Sequence, residues 1–270
     1  MSGAGTVPSG AVSPLAIADL VVDYGEKRAV DGLTLSVRPG EVYGLLGSNG
    51  AGKSSTIRCI VGLVRPTRGS VRVFGLDALD GALAVKARVG YVPESPILFD
   101  ALTPREFLEY VAGIRGLDPA IATGRAARYV DALQIAADID RPLVTLSNGT
   151  RQKVLLVAAF LHQPDLLVLD EPFNNLDPRA VRIMKELLGR YVASGQRGAL
   201  FSTHAMEVAE QVCHRVGILD RGVLRGEGSL PTLRREVATR DATLEAIFLR
   251  LTAEEEGVRE AVRSLGEGPG

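Results

Sequence analysis

The run Gly47-Ser48-Asn49-Gly50-Ala51-Gly52-Lys53-Ser54 constrains this chain more than any other stretch of it. Two glycines bracket four residues and are followed by Lys and Ser, the spacing of a phosphate-binding loop. The run follows an apolar segment at residues 41–46 and leads into a helical pattern from about Gly52. The sequence therefore predicts a strand, a glycine-rich turn and a helix, in that order. Glycines let the backbone curl until successive N–H groups face phosphate oxygens, and the helix N-terminus adds its partial positive charge. In such a loop Lys53 reaches the β- and γ-phosphates, and the Ser54 hydroxyl is placed to ligate Mg²⁺. Glycine is also the compositional outlier, 30 of 270 residues, against an average of about 7%. No collagen period or low-complexity tract absorbs the excess, so individual glycines are expected where the backbone approaches something closely.

A second segment supplies the other half of a nucleotide site. Leu166-Leu167-Val168-Leu169-Asp170-Glu171 is four apolar residues ending in two carboxylates, the pattern of a buried strand with an acidic tip. Asp170 is placed to hold Mg²⁺, and Glu171 to polarise an attacking water as general base. Taken alone, the pair could equally be an acidic cap on a core strand before the turn at Pro172. The phosphate-binding loop upstream decides for the metal-and-base reading.

Short apolar runs alternate with longer helical patterns, the arrangement of an α/β domain built on a central sheet. Strands are expected at residues 15–22, 33–37, 41–46, 70–74, 89–92, 166–169, 199–202 and 216–219, with a charged turn at 25–28. Residues 103–115, 121–133 and 147–161 read as helices with no strand among them. A helical subdomain of about residues 94–164 is therefore expected as an insert in the sheet domain. Residues 1–14, rich in Gly, Ser, Ala and Pro, read as a flexible leader, the segment from about Leu230 as helical, and residues 266–270 as frayed.

Charge and cysteine content exclude other classes. With 31 basic and 32 acidic side chains, the chain is no polyelectrolyte, and a nucleic-acid partner is not expected. Cys59 and Cys213 stand apart in apolar surroundings and read as core residues of a reducing compartment. The longest apolar run, residues 154–161, is far short of the roughly 20 residues a membrane span needs. The leader lacks a basic start and an apolar centre of signal-peptide type, so a cytoplasmic location is expected.

Three further pieces point to a family. Leu146-Ser147-Asn148-Gly149-Thr150-Arg151-Gln152-Lys153 resembles the LSGGQ signature of ABC-type ATPases, and it lies ahead of the 166–169 strand as in that family. Asn174-Asn175-Leu176-Asp177 resembles the family's D-loop, and His204 its switch histidine. Tyr24 resembles the adenine-stacking aromatic, and Tyr91-Val92-Pro93-Glu94 the Q-loop. The resemblance runs over about residues 15–252 and implies a P-loop NTPase of ABC ATPase type, a mixed central sheet with an inserted helical subdomain, leaving 253–270 as a C-terminal tail. It implies catalytic roles for Glu171, His204 and Lys53, and Mg²⁺ ligation by Ser54, Glu94 and Asp170. ATP contacts are implied for Tyr24, Gly47, Ser48, Asn49, Gly50, Ala51, Gly52, Lys53, Ser54, Ser55, Ser147, Gly149 and Asp177.

Plainer readings stand beside these. Ser147 also fits an ordinary helix N-cap, Tyr24 a surface strand tyrosine, and His162 and His214 read as structural. The chain departs from the family at Glu94, where Gln is usual; both side chains can ligate Mg²⁺, but the carboxylate adds charge near the phosphates. Asn148 and Thr150 replace a Gly and a Gln of the signature. Asn tolerates left-handed backbone better than most residues, and Ser147 and Gly149 are retained.

In this family the signature contacts the γ-phosphate held by another subunit's loop. One loop and one signature thus imply a head-to-tail dimer, with a second copy or a homologous ATPase subunit, closed over two ATP molecules. The resemblance also implies a separate transmembrane permease, met through residues 94–107 with Ile97, Leu98 and Phe99 as an apolar patch. Glu94, the signature run and Leu244-Glu245-Ala246-Ile247-Phe248-Leu249 resemble the subfamily serving ABC-2-type exporters. The expectation is an ATP-hydrolysing subunit, peripheral on the inner face of the cell membrane, that powers export. Alternatives are an importer ATPase, or a non-transport ABC ATPase acting on ribosomes or DNA; the latter usually carries two ATPase halves or long coiled-coil insertions, which this sequence lacks. A P-loop GTPase or small-molecule kinase finds no N-K-x-D motif here, and a Ser-His-Asp hydrolase no G-x-S-x-G elbow. Lys53→Ala is predicted to abolish ATP binding or turnover; undiminished turnover in a phosphate-release assay contradicts the loop assignment.

Overall fold

The computed structural model describes residues 12–237 and 241–252. Its strands are β1 (Leu15–Tyr24), β2 (Lys27–Val37), β3 (Val42–Leu46), β4 (Arg68–Val73), β5 (Leu76–Asp77), β6 (Val89–Val92), β7 (Leu166–Asp170), β8 (Gly198–Thr203), β9 (Arg215–Asp220) and β10 (Val223–Gly228). The helices are α1 (Lys53–Ile60), α2 (Ala82–Arg88), α3 (Pro104–Ile114), α4 (Pro119–Ala132), α5 (Asn148–Leu161), α6 (Pro178–Val192), α7 (Met206–Val212), α8 (Leu230–Glu236) and α9 (Leu244–Leu251). Two sheets result, an antiparallel one in the order β2-β1-β4-β5 and a larger one in the order β10-β9-β3-β8-β7-β6. The larger sheet is parallel except for the β9–β10 hairpin. This is the mixed α/β fold that the alternation of strand and helix signals implies.

The apolar run of β7 is continuous because both its faces are covered. Leu166 and Val168 pack with α1 and the antiparallel sheet, while Leu167 and Leu169 pack with residues of α3, α4, α5 and α6. Burying each such side chain contributes roughly 1.5–3 kcal/mol. Helix α1 thus lies between the two sheets, and the loop before it is clamped from both sides. A third apolar cluster joins α7, α8 and α9 to the far end of the large sheet through Leu46, Val216 and Ile218.

Helix starts are set by side chains that serve free N–H groups. Thr103 and Glu106 form a reciprocal capping box at α3; Asp118, Ser147 and Asp177 cap α4, α5 and α6. Pro104, Pro119 and Pro178 occupy first helical positions, where a missing N–H costs nothing. The chain from Val154 to Leu161 in α5 is buried all round, which is why that run showed no polar face.

The structure corrects several expectations. Strand β2 begins at Lys27, pairing with Tyr24, so the turn tightens to Gly25-Glu26 with Gly25 at φ +60°. Residues 12–14 of the expected leader are pinned to the sheet: the Ser13 hydroxyl donates to the Val37 carbonyl at 2.6 Å, and the Pro14 carbonyl accepts from Phe74 N–H at 3.2 Å. The rest of that leader call (1–11), and the tail calls over 253–270, lie outside the described residues. The helical segment from Leu230 is two helices, α8 and α9. Helices α2, α6 and α7 and strands β5 and β10 were not anticipated. In α6 the buried stripe Ala180, Met184, Leu188 and Tyr191 is thin, and Arg179, Arg182, Lys185, Glu186 and Arg190 dominate its pattern.

His162 and His214 both join backbone groups. His214 Nδ1 accepts from Val42 N–H at 3.0 Å. His162 Nε2 lies 3.1 Å from the Val89 carbonyl, to which it can only donate, and its Nδ1 is buried without a partner. Burial, with Arg115 nearby, pushes the His162 pKa down to about 4. Between about 6.5 and 4 the unfolded chain therefore takes up a proton that the folded chain refuses, so stability falls as pH drops through that window. Allowing for partial exposure, the loss is about 1–2 kcal/mol. His162→Gln can keep the hydrogen bond without titrating. Urea unfolding from pH 7 to 4.5 is expected to show the unsubstituted chain losing that much more stability than the variant; parallel losses contradict it.

Candidate functional site

Parallel strands β3, β8 and β7 lie side by side, and the loops leaving β3 and β7 at their C-terminal ends build one polar cavity. The loop after β3 curls because Gly50 and Gly52 adopt φ +84° and +109°. At Gly52 a side chain would also collide with the Ala29 carbonyl of β2, so the antiparallel sheet presses directly on the loop. Gly52 is the N-cap of α1, and Lys53 is the helix's first residue.

Lys53 is only 6% exposed, and its ammonium donates to the carbonyls of Gly47 at 2.7 Å and Ser48 at 3.2 Å. It also lies 3.4 Å from Glu171 Oε1, on a side chain 4% exposed. Glu171 follows β7 with φ +47°, a left-handed turn that aims its carboxylate back at the loop. Oε1 accepts from His204 Nδ1 at 3.0 Å, whereas Oε2 is buried and has no partner. An unmatched buried carboxylate oxygen is costly, and it marks where a further donor or cation belongs.

Asp170 is buried behind this pair. Ser202, opposite it in the β7–β8 register, donates its hydroxyl to Asp170 Oδ1 at 2.5 Å and accepts from Glu171 N–H at 3.0 Å. One hydroxyl therefore orients both acidic residues. The sequence reading missed Ser202, because its meaning depends on strand register.

The cavity has a volume of about 270 Å³. Ser48, Asn49, Gly50, Ala51, Gly52, Lys53, Ser54 and Ser55 line it, with Tyr24, Glu94 and Glu171 on its walls. Gly47 is held just beneath by the Lys53 contact. Tyr24 lines the cavity and is 43% exposed. Lys27 and Ala29 also line it and were not anticipated; the strand pairing of Tyr24 with Lys27 brings them there. A larger cavity of about 500 Å³ lies between α3 and α4, but alanines, Leu108 and Leu161 dominate its wall and no phosphate-binding loop reaches it.

Ser147, Gly149 and Asp177 do not line this cavity. Exposed Ser147 caps α5 through Thr150 N–H. The Asp177 carboxylate accepts from the Lys153 ammonium at 2.6 Å and from Ala180 N–H at 2.8 Å; the lysine first, then the backbone donor, hold its pKa below the usual carboxylate value. Within the single chain Asp177 serves as a helix cap and an ion-pair partner.

Ser54, Glu94 and Asp170 offer hard oxygen donors of the kind Mg²⁺ prefers. No cluster of three or more His, Cys, Asp or Glu that could hold a metal occurs among the described residues. The donor set therefore suits a cation whose remaining ligands are phosphate oxygens and water.

The sequence profile of the ABC transporter family matches residues 30–174. The chain is 33% identical over 246 residues to the ABC-type transporter ATP-binding protein EcsA of Bacillus subtilis, covering 91% of this chain and 99% of that one. It is 36% identical to the Nod factor export ATP-binding protein I of Paraburkholderia xenovorans, over 76% of this chain and 67% of the relative. A solved ATP-binding subunit of an ABC transporter superposes with a TM-score of 0.84 at 34% identity, covering 89% of this chain and all of the other.

Ser202→Ala leaves two buried partners unmatched and is predicted to cost about 2–3 kcal/mol in urea unfolding, with ATP turnover reduced about tenfold or more. Unchanged stability and turnover contradict the orienting role.

Proposed function

This chain belongs to the ABC transporter family, and from that premise we propose that it powers a separate membrane permease, for export, through an ATP-driven head-to-tail dimer. It is an ATP-binding and ATP-hydrolysing subunit, as the family match and the relatives across nearly its whole length establish. The observation that carries the proposed site is the buried Lys53–Glu171 pair beneath the glycine-rich loop, with Glu171 Oε2 left without a partner.

On this reading the triphosphate lies in the loop, its oxygens meeting the backbone N–H groups and the N-terminus of α1. Lys53 exchanges the Gly47 and Ser48 carbonyls for the β- and γ-phosphates. Tyr24 stacks on adenine. Ser54, Asp170 and Glu94 would hold Mg²⁺, which supplies charge stabilisation of the transferring phosphoryl group when bound. Glu171 takes a proton from the attacking water through Oε2, while His204 steadies Oε1. Ser202 keeps Asp170 and Glu171 in register for this.

Dimerisation is supported by what the single chain leaves open. Ser147 and Gly149, at the N-terminus of α5, are not among the residues that line this chain's own cavity. A second copy turned head to tail would bring that helix N-terminus to the γ-phosphate, and hydrolysis would weaken the contact.

No helix among the described residues is long and apolar enough to cross a membrane, so a permease partner would supply the span and hold this chain at the inner membrane face. Ile97 and Phe99 are 78% and 53% exposed, and the Phe99 ring meets Tyr110 edge-on at 5.2 Å. Leu98, in contrast, packs into the core, so the proposed docking patch is Ile97, Phe99 and Tyr110. Export is supported by the likeness to a relative named for it.

Glu171→Gln is predicted to bind ATP, to lose at least about a hundredfold in turnover, and to elute as a dimer in ATP but not in ADP. Full turnover in that variant overturns the assignment of the base.

A further inference from the structure

We propose that Gly222, in the turn between β9 and β10, is a positioning residue for phosphate binding, because its backbone N–H sets the direction of the Gly52 N–H in the loop after β3. The inference rests on the nucleotide reading of the cavity, to which Gly222 itself contributes no wall.

The β9–β10 hairpin ends against the glycine-rich loop. Strand β9 runs parallel to β3 with Ile218 opposite Leu46, which brings Leu219 level with Gly47. A side chain at Gly47 would collide with the Leu219 carbonyl, and one at Gly52 would stand 3.3 Å from the Leu219 side chain. The Gly222 N–H donates to the Ala51 carbonyl at 2.9 Å, and the Gly222 carbonyl accepts from the Asp31 N–H of β2 at 2.9 Å. One turn thus meets the loop at Gly47, Ala51 and Gly52 and ties it to the antiparallel sheet.

The turn is built so that only glycine fits. Arg221 and Gly222 have φ +47° and +80°, the left-handed pair that two-residue hairpin turns favour. A Cβ on buried Gly222 would lie 3.0 Å from the Ala29 carbonyl oxygen and 3.2 Å from Val30 Cα. A side chain at Gly52 would strike the same Ala29 carbonyl, so Ala29 is held between the two glycines.

The bond to Ala51 fixes more than a loop atom. In a planar trans peptide the carbonyl and the following N–H point in opposite directions. Holding the Ala51 carbonyl on the hairpin therefore turns the Gly52 N–H away from it. That N–H has no acceptor among the described residues and stands at the N-cap of α1, where the helix adds partial positive charge. It is a free donor for a phosphate oxygen, aimed by Gly222. Without the Gly222 donor the Ala51–Gly52 peptide is free to rotate. Ser202 holds the carboxylates after β7 separately, so the effect falls on nucleotide binding and leaves proton transfer intact. A contact kept equally in ground and transition states changes KM and not kcat.

The test compares the full chain with Gly222→Ala and with a variant carrying glycolic acid in place of Gly222, whose ester removes the N–H and adds no side chain. Gly75→Ala is the control for strain alone: Gly75 has φ +78°, an added Cβ there meets only Val12 Cγ1 at 3.6 Å, and the residue does not line the cavity. Calorimetry with a non-hydrolysable ATP analogue in Mg²⁺ reads Kd, and thermal melting reads stability. The ester is expected to raise Kd about fivefold and Gly222→Ala about tenfold. Gly75→Ala is expected to melt lower with Kd unchanged within about twofold. In ATP turnover the ester should raise KM about as much as Kd, with kcat held within about twofold. An ester Kd within about twofold of the unsubstituted chain overturns the proposal, as does a fall in kcat at unchanged KM. An equal loss of affinity in Gly75→Ala also overturns it. If Gly222→Ala fails to fold, the ester decides. No binding to the unsubstituted chain in Mg²⁺ instead overturns the nucleotide reading of the cavity, and this inference with it.

Discussion

A lysine and a glutamate, both almost wholly buried, meet at the ends of two parallel strands, and the surrounding architecture depends on keeping them there. Removing two charges from water costs several kcal/mol per ion unless geometry and hydrogen bonds compensate. Here the loop supplies two carbonyls to Lys53, His204 supplies a donor to Glu171, and one carboxylate oxygen stays unmatched. Such an arrangement is poor as a stability device and well suited to a site that a polyanion completes. The left-handed backbone at Glu171 and at the loop glycines is held by packing on both sides of β3 and β7.

The two sheets divide the work of holding it. The parallel sheet fixes the spacing between the loop after β3 and the carboxylates after β7, with β8 and Ser202 between them. The antiparallel sheet closes the other side, pressing Ala29 against Gly52 and carrying Tyr24 and Lys27 to the cavity wall. Helices α3, α4 and α5 contribute no residue to the cavity wall. They instead leave the α5 N-terminus and the Phe99–Tyr110 surface exposed, the two surfaces on which the proposed dimer and permease contacts rest.

Local chemistry was legible in the sequence wherever it depends on neighbours along the chain. The glycine-rich loop, the acidic tip of β7 and the cap at Ser147 all stand within a few residues of what they serve. Features that depend on register were not: Ser202 matters only because β8 lies against β7, and Lys27 only because β2 turns back on β1. The charged outer face of α6 hid its apolar stripe, and the two-residue strand β5 was too short to carry a pattern. The tyrosine at position 24 and the carboxylate at 94 were readable through family resemblance alone, and the cavity gives both a physical setting.

The central claim is that nucleotide phosphate replaces the internal partners of Lys53. A structure of the chain with a non-hydrolysable ATP analogue and Mg²⁺ tests it most directly. The account predicts Lys53 Nζ withdrawn from the Gly47 and Ser48 carbonyls and bonded to phosphate oxygens, with Glu171 Oε2 facing the γ-phosphate. Nucleotide bound elsewhere, with Lys53 still on those carbonyls and Glu171, would contradict it.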